Sequence, residues 1–335
     1  MQDPPAPHGF SIRPAALDDA PAIADVVNET SLAEVGIPWT TPEEVRGDLI
    51  TPGRRRGDDL VVLDRDRRVV AVHGLYPDVD PFTSLTQIPF VRPAFWGLGL
   101  SGWLLRLGER LARERLAEGR EPDSIALRVV RWRNNAAAAR LFVSLGYRHA
   151  RTFSWLRLDL ADEPPEPVVP DGVELRTFER ARDTAATYAA LREAFEDHWG
   201  HTFETFDEWV HGNLEREGSG FDPELWLLAV ADGEIAGAVT AVEEDPGATG
   251  AGYVAVLGVR RRWRRRGVAR ALLLSSFRAL RRRGLPAVEL GVDAENPTGA
   301  THLYESVGMR LVRQSDHWEK RLDRDGPGTD ATDGG

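Results

Sequence analysis

The chain has 335 residues, 42% of them hydrophobic, and a formal net charge of −11 at pH 7. That length suits two domains of roughly 150 residues each. The acidity argues against general nucleic-acid affinity, and no run reaches the roughly 18 apolar residues of a membrane-spanning helix. The chain contains no cysteine, which excludes disulfides, thiolate metal sites and any cysteine-linked covalent intermediate. The N-terminal stretch MQDPPAPHGF lacks the basic-then-apolar layout of a secretion signal, so a cytoplasmic location is expected.

In chain order, the first half opens with a short strand ending in Arg13, followed by a helical segment over 18–28. A strand–turn–strand follows: 60–63, a turn at 64–67, then 69–74. An apolar strand ending at Val91 leads through a glycine turn into a helix with Leu100, Leu104, Leu107 and Leu111 on one face. A strand over 124–130 and a helix over 134–146 complete this half. Residues 161–172, ADEPPEPVVPDG, are rich in proline and acid and read as a linker, stiff where the prolines cluster.

The second half repeats the order: a strand ending at Arg176, a helix over 184–195, a hairpin of 226–230 and 235–242 turning at Asp232-Gly233, a strand ending at Val259, a glycine turn, and a helix with Leu272, Leu273, Phe277 and Leu280 on one face. A strand over 287–292 and a helix over 296–308 close it. The halves also match by spacing. Four residues after Val91 and Val259 stands an aromatic (Phe95, Trp263), and eight after stands a glycine (Gly99, Gly267). Asn134, Ala138, Phe142 and Gly146 match Asn296, Ala300, Tyr304 and Gly308. The internal repeat predicts two tandem α/β domains with mixed (α+β) sheets, over 9–160 and 173–322, followed by a disordered tail over 323–335.

Arg260 to Arg266 is all arginine except Trp263, and it closes a strand just before a helix. A helix start presents free N–H groups and a partial positive charge, which suits a phosphate. Gly267 allows close backbone approach. Arg264-x-x-Gly267-x-Ala269 after an apolar strand resembles the pyrophosphate loop of the GCN5-related N-acetyltransferase (GNAT) family. Asn296, Ala300, Tyr304 and Gly308 resemble that family's later motif. The resemblance covers most of 172–322 and is of the tandem type similar to mycothiol synthase.

The resemblance implies an acetyl-CoA-dependent N-acetyltransferase, moving the acetyl group directly to a primary amine of a small molecule. Leu257 and Val259 would pair with the pantetheine arm. Arg264, Arg265, Arg266, Gly267, Val268 and Ala269 would hold the diphosphate, Asn296 would lie beside the cofactor, and Tyr304 would protonate the departing thiolate. Tandem members of the mycothiol synthase type carry a glutamate on the strand before the loop; here that place holds Tyr253. Glu243 and Glu244 stand nearest as substitutes, with a water chain as the alternative. Asp197, His198 and Trp199, with Tyr253, are the candidate acceptor contacts. No metal is expected, and a monomer or homodimer fits. The first half lacks the loop arginines (Trp96 and Leu98 stand there), and Phe142 replaces the tyrosine, so a degenerate, non-catalytic copy is expected. A non-catalytic acyl-CoA-binding or scaffolding protein is the alternative reading of the whole chain.

Overall fold

The computed structural model describes residues 6–324, apart from 51–54, 56, 78–82, 119–121, 197, 200–203, 217–218, 244–249 and 297–298. The first half forms β1 (Ser11–Pro14), α1 (Ala20–Val35), α2 (Pro42–Leu49), β2 (Leu60–Leu63), β3 (Val69–Pro77), β4 (Ser84–Val91), α3 (Leu100–Glu118), β5 (Ser124–Trp132), α4 (Ala136–Ser144) and β6 (Arg148–Asp159). The second forms β7 (Val173–Thr177), α5 (Arg180–Phe195), α6 (Phe206–Val210), β8 (Trp226–Ala231), β9 (Glu234–Val242), β10 (Gly252–Val259), α7 (Val268–Arg282), β11 (Ala287–Asp293), α8 (Ala300–Ser306) and β12 (Arg310–Asp323). The α/β repeat is thus present element by element.

The compact units do not divide where the proline-rich segment does. Unit 1 comprises Met1–Gly36, Asp48–Arg151 and Ser315–Gly335; unit 2 comprises Ile37–Gly47 and Thr152–Gln314. The reason is an exchange of last strands. In unit 2, β6 pairs antiparallel with β11 from Phe153↔Asp293 to Asp159↔Ala287. In unit 1, β12 pairs with β5 from Ser315↔Trp132 to Asp323↔Ser124. Each half therefore completes the other's sheet with its final strand. Residue 323, read from sequence as the start of the tail, ends β12; 325–335 lie outside the described residues.

The segment 161–172 also differs from a free linker. Arg278 on α7 donates to the Pro164 carbonyl at 2.8 Å and pairs with Glu163 and Glu166. Arg281 donates to the carbonyls of Leu160 and Ala161. Two arginines on one helix thus bind carbonyls that proline-rich chain cannot pair for itself.

Unit 2 has strand order β6-β11-β10-β9-β8-β7. The apolar face of α7 is fully buried, with Leu272, Leu273, Phe277 and Leu280 all at 0% exposure. That face joins Tyr304 of α8 in one core cluster. A second cluster packs α5 and Trp209 on strands β8 and β9. The feature that positions a site lies between β10 and β11. These strands run parallel and pair only at Gly252↔Val288 and Tyr253↔Glu289. On its other edge, β10 shifts register against β9 between Val254 and Val256. A bulge bends its strand and increases the twist. Beyond Tyr253 the edge of β10 toward β11 is left open, and a cleft enters there.

Candidate functional site

The cleft has a volume of about 630 Å³. Its walls come from β10 (residues 254–259), β11 (290–293), the turn before α7, the start of α8, and the end of α5. The turn is built by two left-handed residues: Gly267 at φ 88° and, more unusually, Arg265 at φ 59°. A non-glycine residue there costs about 1 kcal/mol, and such strain concentrates at binding sites. Gly267 is also the N-cap of α7 and offers no side chain to its first N–H groups; the first helical bond runs from the Ala271 N–H to the Gly267 carbonyl. The N–H groups ahead of Ala271 are the ones an α-helix does not pair within itself, and they stand at the positive end of the helix dipole. That arrangement fits a diphosphate.

The six arginines divide by role. Arg260 pairs with Glu193 at 2.6 Å and Glu234 at 2.8 Å, and Arg261 pairs with Glu196 at 3.2 Å. Arg262 lies over the buried Trp263 ring at 3.7 Å and pairs with Glu234. Arg264 donates from Nε to the Val259 carbonyl at 3.0 Å and from Nη2 to the Ala194 carbonyl at 2.8 Å. The sequence reading placed Arg264 on the diphosphate; the structure uses its fork to tie the end of β10 to the end of α5. Arg265 and Arg266 are exposed and make no ion pair among the described residues. Arg265 lines the cleft and Arg266 does not. The Val268 side chain is 1% exposed and belongs to the core, so only its backbone can serve the turn.

Leu257, Val259, Ala269 and Asn296 all line the cleft. Asn296 precedes α8 rather than opening it: it sits in a turn closed by its N–H on the Asp293 carbonyl at 3.1 Å. Tyr304 lines the cleft from α8 and is 7% exposed. Burial pushes its hydroxyl up to about 12, so it carries its proton at neutral pH. His198 and Trp199 line the opposite wall, with His198 edge-on to Phe195 at 4.5 Å. Asp197 and Glu244 lie outside the described residues.

Besides Arg266 and Val268, two more expected residues are not on the cleft wall. Glu243 follows β9, whose end pairs with the start of β10, away from the splay. Its carboxylate is bound to Arg283, which also holds Asp222 and Glu224. Tyr253 stands at the last paired position of β10, its ring 5.8 Å from that of Trp155. Trp155 in turn meets Trp39 at 5.8 Å. The Tyr253 hydroxyl lies 3.4 Å from where a side chain at Gly291 would begin. Tyr253 therefore backs the wall that Gly291 forms.

Sequence reasoning missed Phe153, Gly291, Asp293 and Arg270, all of which line the cleft. Phe153 comes from β6, a strand counted with the other half. It also missed Glu289, 1% exposed between Arg157 and Arg313. The alternation of Phe153, Trp155 and Arg157 was the available signal for this face.

Unit 1 has a second cleft, of about 610 Å³, in the matching place. Gly97 and Gly99 hold φ 80° and 81° where Arg265 and Gly267 stand in unit 2. Trp96 donates its Nε1 to the Val91 carbonyl at 2.7 Å, as Arg264 does to Val259. Pro89 stands where unit 2 has Leu257, so the backbone donor is absent. Arg131 donates to the Pro89 carbonyl and lies 4.5 Å over the Phe90 ring.

The Acetyltransferase (GNAT) family profile matches residues 185–309. The mycothiol acetyltransferase of Acidothermus cellulolyticus is 31% identical over 328 residues, covering 93% of this chain and 91% of that one. That of Thermobispora bispora is 37% identical over 226 residues, 65% of this chain and 70% of the relative. Among solved structures, a GCN5-related N-acetyltransferase from Sphaerobacter thermophilus is 33% identical, with TM-score 0.79 over 97% of this chain and 98% of that one. A tandem GNAT protein from the clavulanic acid biosynthesis pathway, at 18% identity, shares the fold with TM-score 0.67 over 96% of this chain and 100% of its own. With the splayed strands, the left-handed turn and the buried tyrosine, these likenesses show that the chain is an acyltransferase belonging to the GCN5-related N-acetyltransferase family, similar to mycothiol synthase.

Proposed function

We propose that unit 2 transfers an acetyl group directly from acetyl-CoA to the primary amine of a small molecule. One observation carries the reading: the β10–β11 cleft joins the left-handed turn at Arg265–Gly267 to the buried side chain of Tyr304. The family implies acetyl-CoA as co-substrate, and the curated relatives are mycothiol acetyltransferases, which fits a small-molecule acceptor. The free N–H groups of the turn and the exposed Arg265 would hold the diphosphate. The open edge of β10 would pair with the pantetheine arm. Asn296 would lie beside it.

The thioester supplies the acetyl group; its C–S bond breaks as an amide C–N bond forms. Tyr304 gives its proton to the departing sulfur, and its burial keeps that proton in place beforehand. The acceptor must lose a proton as well. An ammonium with pKa near 10 lies about three units above neutral, a cost of about 4 kcal/mol. Neither Glu243 nor Tyr253 faces the cleft to take it.

The test is calorimetry with acetyl-CoA, followed by thiol release across a panel of primary amines. Gly267→Asp keeps a residue tolerant of left-handed backbone but sets a carboxylate at the anion turn. It should weaken acetyl-CoA binding at least thirtyfold. Absence of acetyl-CoA binding by the unaltered protein would overturn the reading. Binding with no thiol release would leave a non-catalytic acyl-CoA-binding protein.

A further inference from the structure

We infer that Asp293 receives the acceptor's ammonium group and takes its proton. This rests on the transfer reading above. Among the described residues, Asp293 is the only carboxylate lining the cleft. The neighbouring acids are already held: Glu243 by Arg283, Glu193 by Arg260, Glu196 by Arg261, and Glu289 by Arg157 and Arg313. Among the described residues, no arginine pairs with Asp293. Its Oδ1 accepts from the Glu295 N–H at 2.9 Å. A carboxylate on a cavity wall without a cation partner is a site for a cationic ligand.

Its place on β11 supports the assignment. Side chains alternate along a strand. Leu290 and Val292 join Tyr304 in one core cluster, on the α7–α8 side of the sheet. Gly291 and Asp293 therefore face the other side, where Phe153 is the register partner of Asp293. The cleft passes between β10 and β11 and is lined from both sides. A proton donor for sulfur on one side and a proton acceptor for nitrogen on the other is what a transfer through the splay needs. The amine then adds to the thioester carbonyl from the Asp293 side, and the tetrahedral adduct re-forms its carbonyl as the C–S bond breaks and the sulfur takes the Tyr304 proton. The walls on the Asp293 side are Phe153, Phe195, His198 and Trp199. Aromatic faces attract an ammonium and reinforce a single carboxylate.

Other charged or titratable groups on the cleft wall are His198, Arg264, Arg265, Arg270 and Tyr304. Arg264 is bonded to two carbonyls and Arg270 to Ser306. On the same strand face, Arg157 and Arg313 are matched by Glu289. Tyr253 of β10 backs that face, and Glu295 follows Asp293 in its turn. Among the described residues, His198 is the other group on this wall able to accept a proton, so it is the control.

The experiment compares Asp293→Asn, Asp293→Glu and His198→Gln with the unaltered protein. Asparagine keeps an oxygen for the Glu295 N–H and removes only the charge. Acetyl-CoA affinity, by calorimetry, should stay within twofold for Asp293→Asn, which reports an intact donor site. Its kcat/KM for the amine at pH 7 should fall at least a hundredfold. Its log kcat/KM should also rise with slope near one up to the pKa of the amine, because only neutral amine then reacts; the unaltered protein should show a flatter profile. Asp293→Glu should recover at least tenfold, and His198→Gln should keep the flatter profile. The inference is overturned if Asp293→Asn stays within threefold with an unchanged profile, or if His198→Gln acquires the slope instead. Thiol release by the unaltered protein and by Asp293→Asn alike removes Asp293 alone. No release by the unaltered protein with any amine removes the transfer reading and this inference with it.

Discussion

Arg176 grips Asp183 through two hydrogen bonds of 2.6 and 2.8 Å, and Arg13 grips Asp19 through two of 2.6 and 2.7 Å. Each carboxylate also accepts one backbone N–H at 2.8 Å, from Glu179 and Ala16. The first strand of each half is thus clamped to the start of its first helix by the same device. Burial alone would raise the Asp183 carboxyl; hydrogen bonds from Arg176, Arg182 and the Glu179 N–H outweigh it and hold it well below the usual range. A lowered carboxylate adds stability that is present above its unfolded pKa and lost as pH falls below it. Asp183→Asn should therefore cost about 2 kcal/mol at pH 7. The gap between variant and parent should close as the pH falls below about 4. Urea unfolding at a series of pH values measures this, and a gap that persists undiminished at low pH would count against the clamp.

Arg264 invites a second prediction, because its sequence position suggests a phosphate ligand while its bonds do not. Its fork joins Val259 and Ala194. Arg264→Lys keeps a positive charge and loses the two-carbonyl geometry. If the tie is what matters, Arg264→Lys should lower stability by about 1–2 kcal/mol. Arg265→Ala should leave stability within about 0.5 kcal/mol, as for an exposed side chain, and raise the Kd for acetyl-CoA several-fold. Reversal of this pattern, with Arg264→Lys stable but weak in binding, would restore Arg264 to the diphosphate.

The contrast shows where sequence reasoning reached and where it stopped. The repeat, the glycine turn before α7 and the place of Tyr304 on α8 were legible because each depends on local spacing: a glycine where the backbone turns, an aromatic at a fixed place on a short helix. The exchange of β6 and β12 was not, since an alternating strand such as Phe153–Trp155–Arg157 suits either sheet. For the same reason Phe153 could not be assigned to the cleft. Glu243 was attractive as a base by distance along the chain, yet the splay opens at the other end of β10, and Arg283 gathers three carboxylates around itself. Asp293 lay just outside the recognised motif, which begins at Asn296.

Tyr304→Phe gives a third prediction. As a general acid, the hydroxyl should be worth about a hundredfold or more in kcat. The KM for acetyl-CoA should change less than threefold, since the ring still fills its place. With its hydroxyl pushed up to about 12 by burial, Tyr304 stays protonated through ordinary assay conditions. Any alkaline loss of rate below pH ~11 then belongs to another group. The same raised value means that stability from the neutral buried phenol is kept below pH ~10 and lost as the pH climbs toward 12. A Tyr304→Phe rate within threefold of the parent would remove the tyrosine from proton transfer.

Unit 1 sets the stoichiometry. Its cleft keeps two left-handed glycines, but Pro89 brings no N–H to the edge where Leu257 stands in unit 2. The Arg131 guanidinium bonds the Pro89 carbonyl, and Glu34 stands 3.9 Å away, anchored by Asn135 at 2.7 Å. Displacing this half-buried cation to admit a pantetheine arm would leave a charged group and a carboxylate poorly matched. The chain should therefore bind one acetyl-CoA, in unit 2. Calorimetry should give one site per chain, and Gly267→Asp should abolish the whole of the signal rather than half of it. Removing the Arg131 side chain should not create a second site of comparable affinity, because Pro89 still lacks the donor. Two sites per chain, one of them surviving Gly267→Asp, would show that the unit 1 cleft opens to ligand in spite of Arg131.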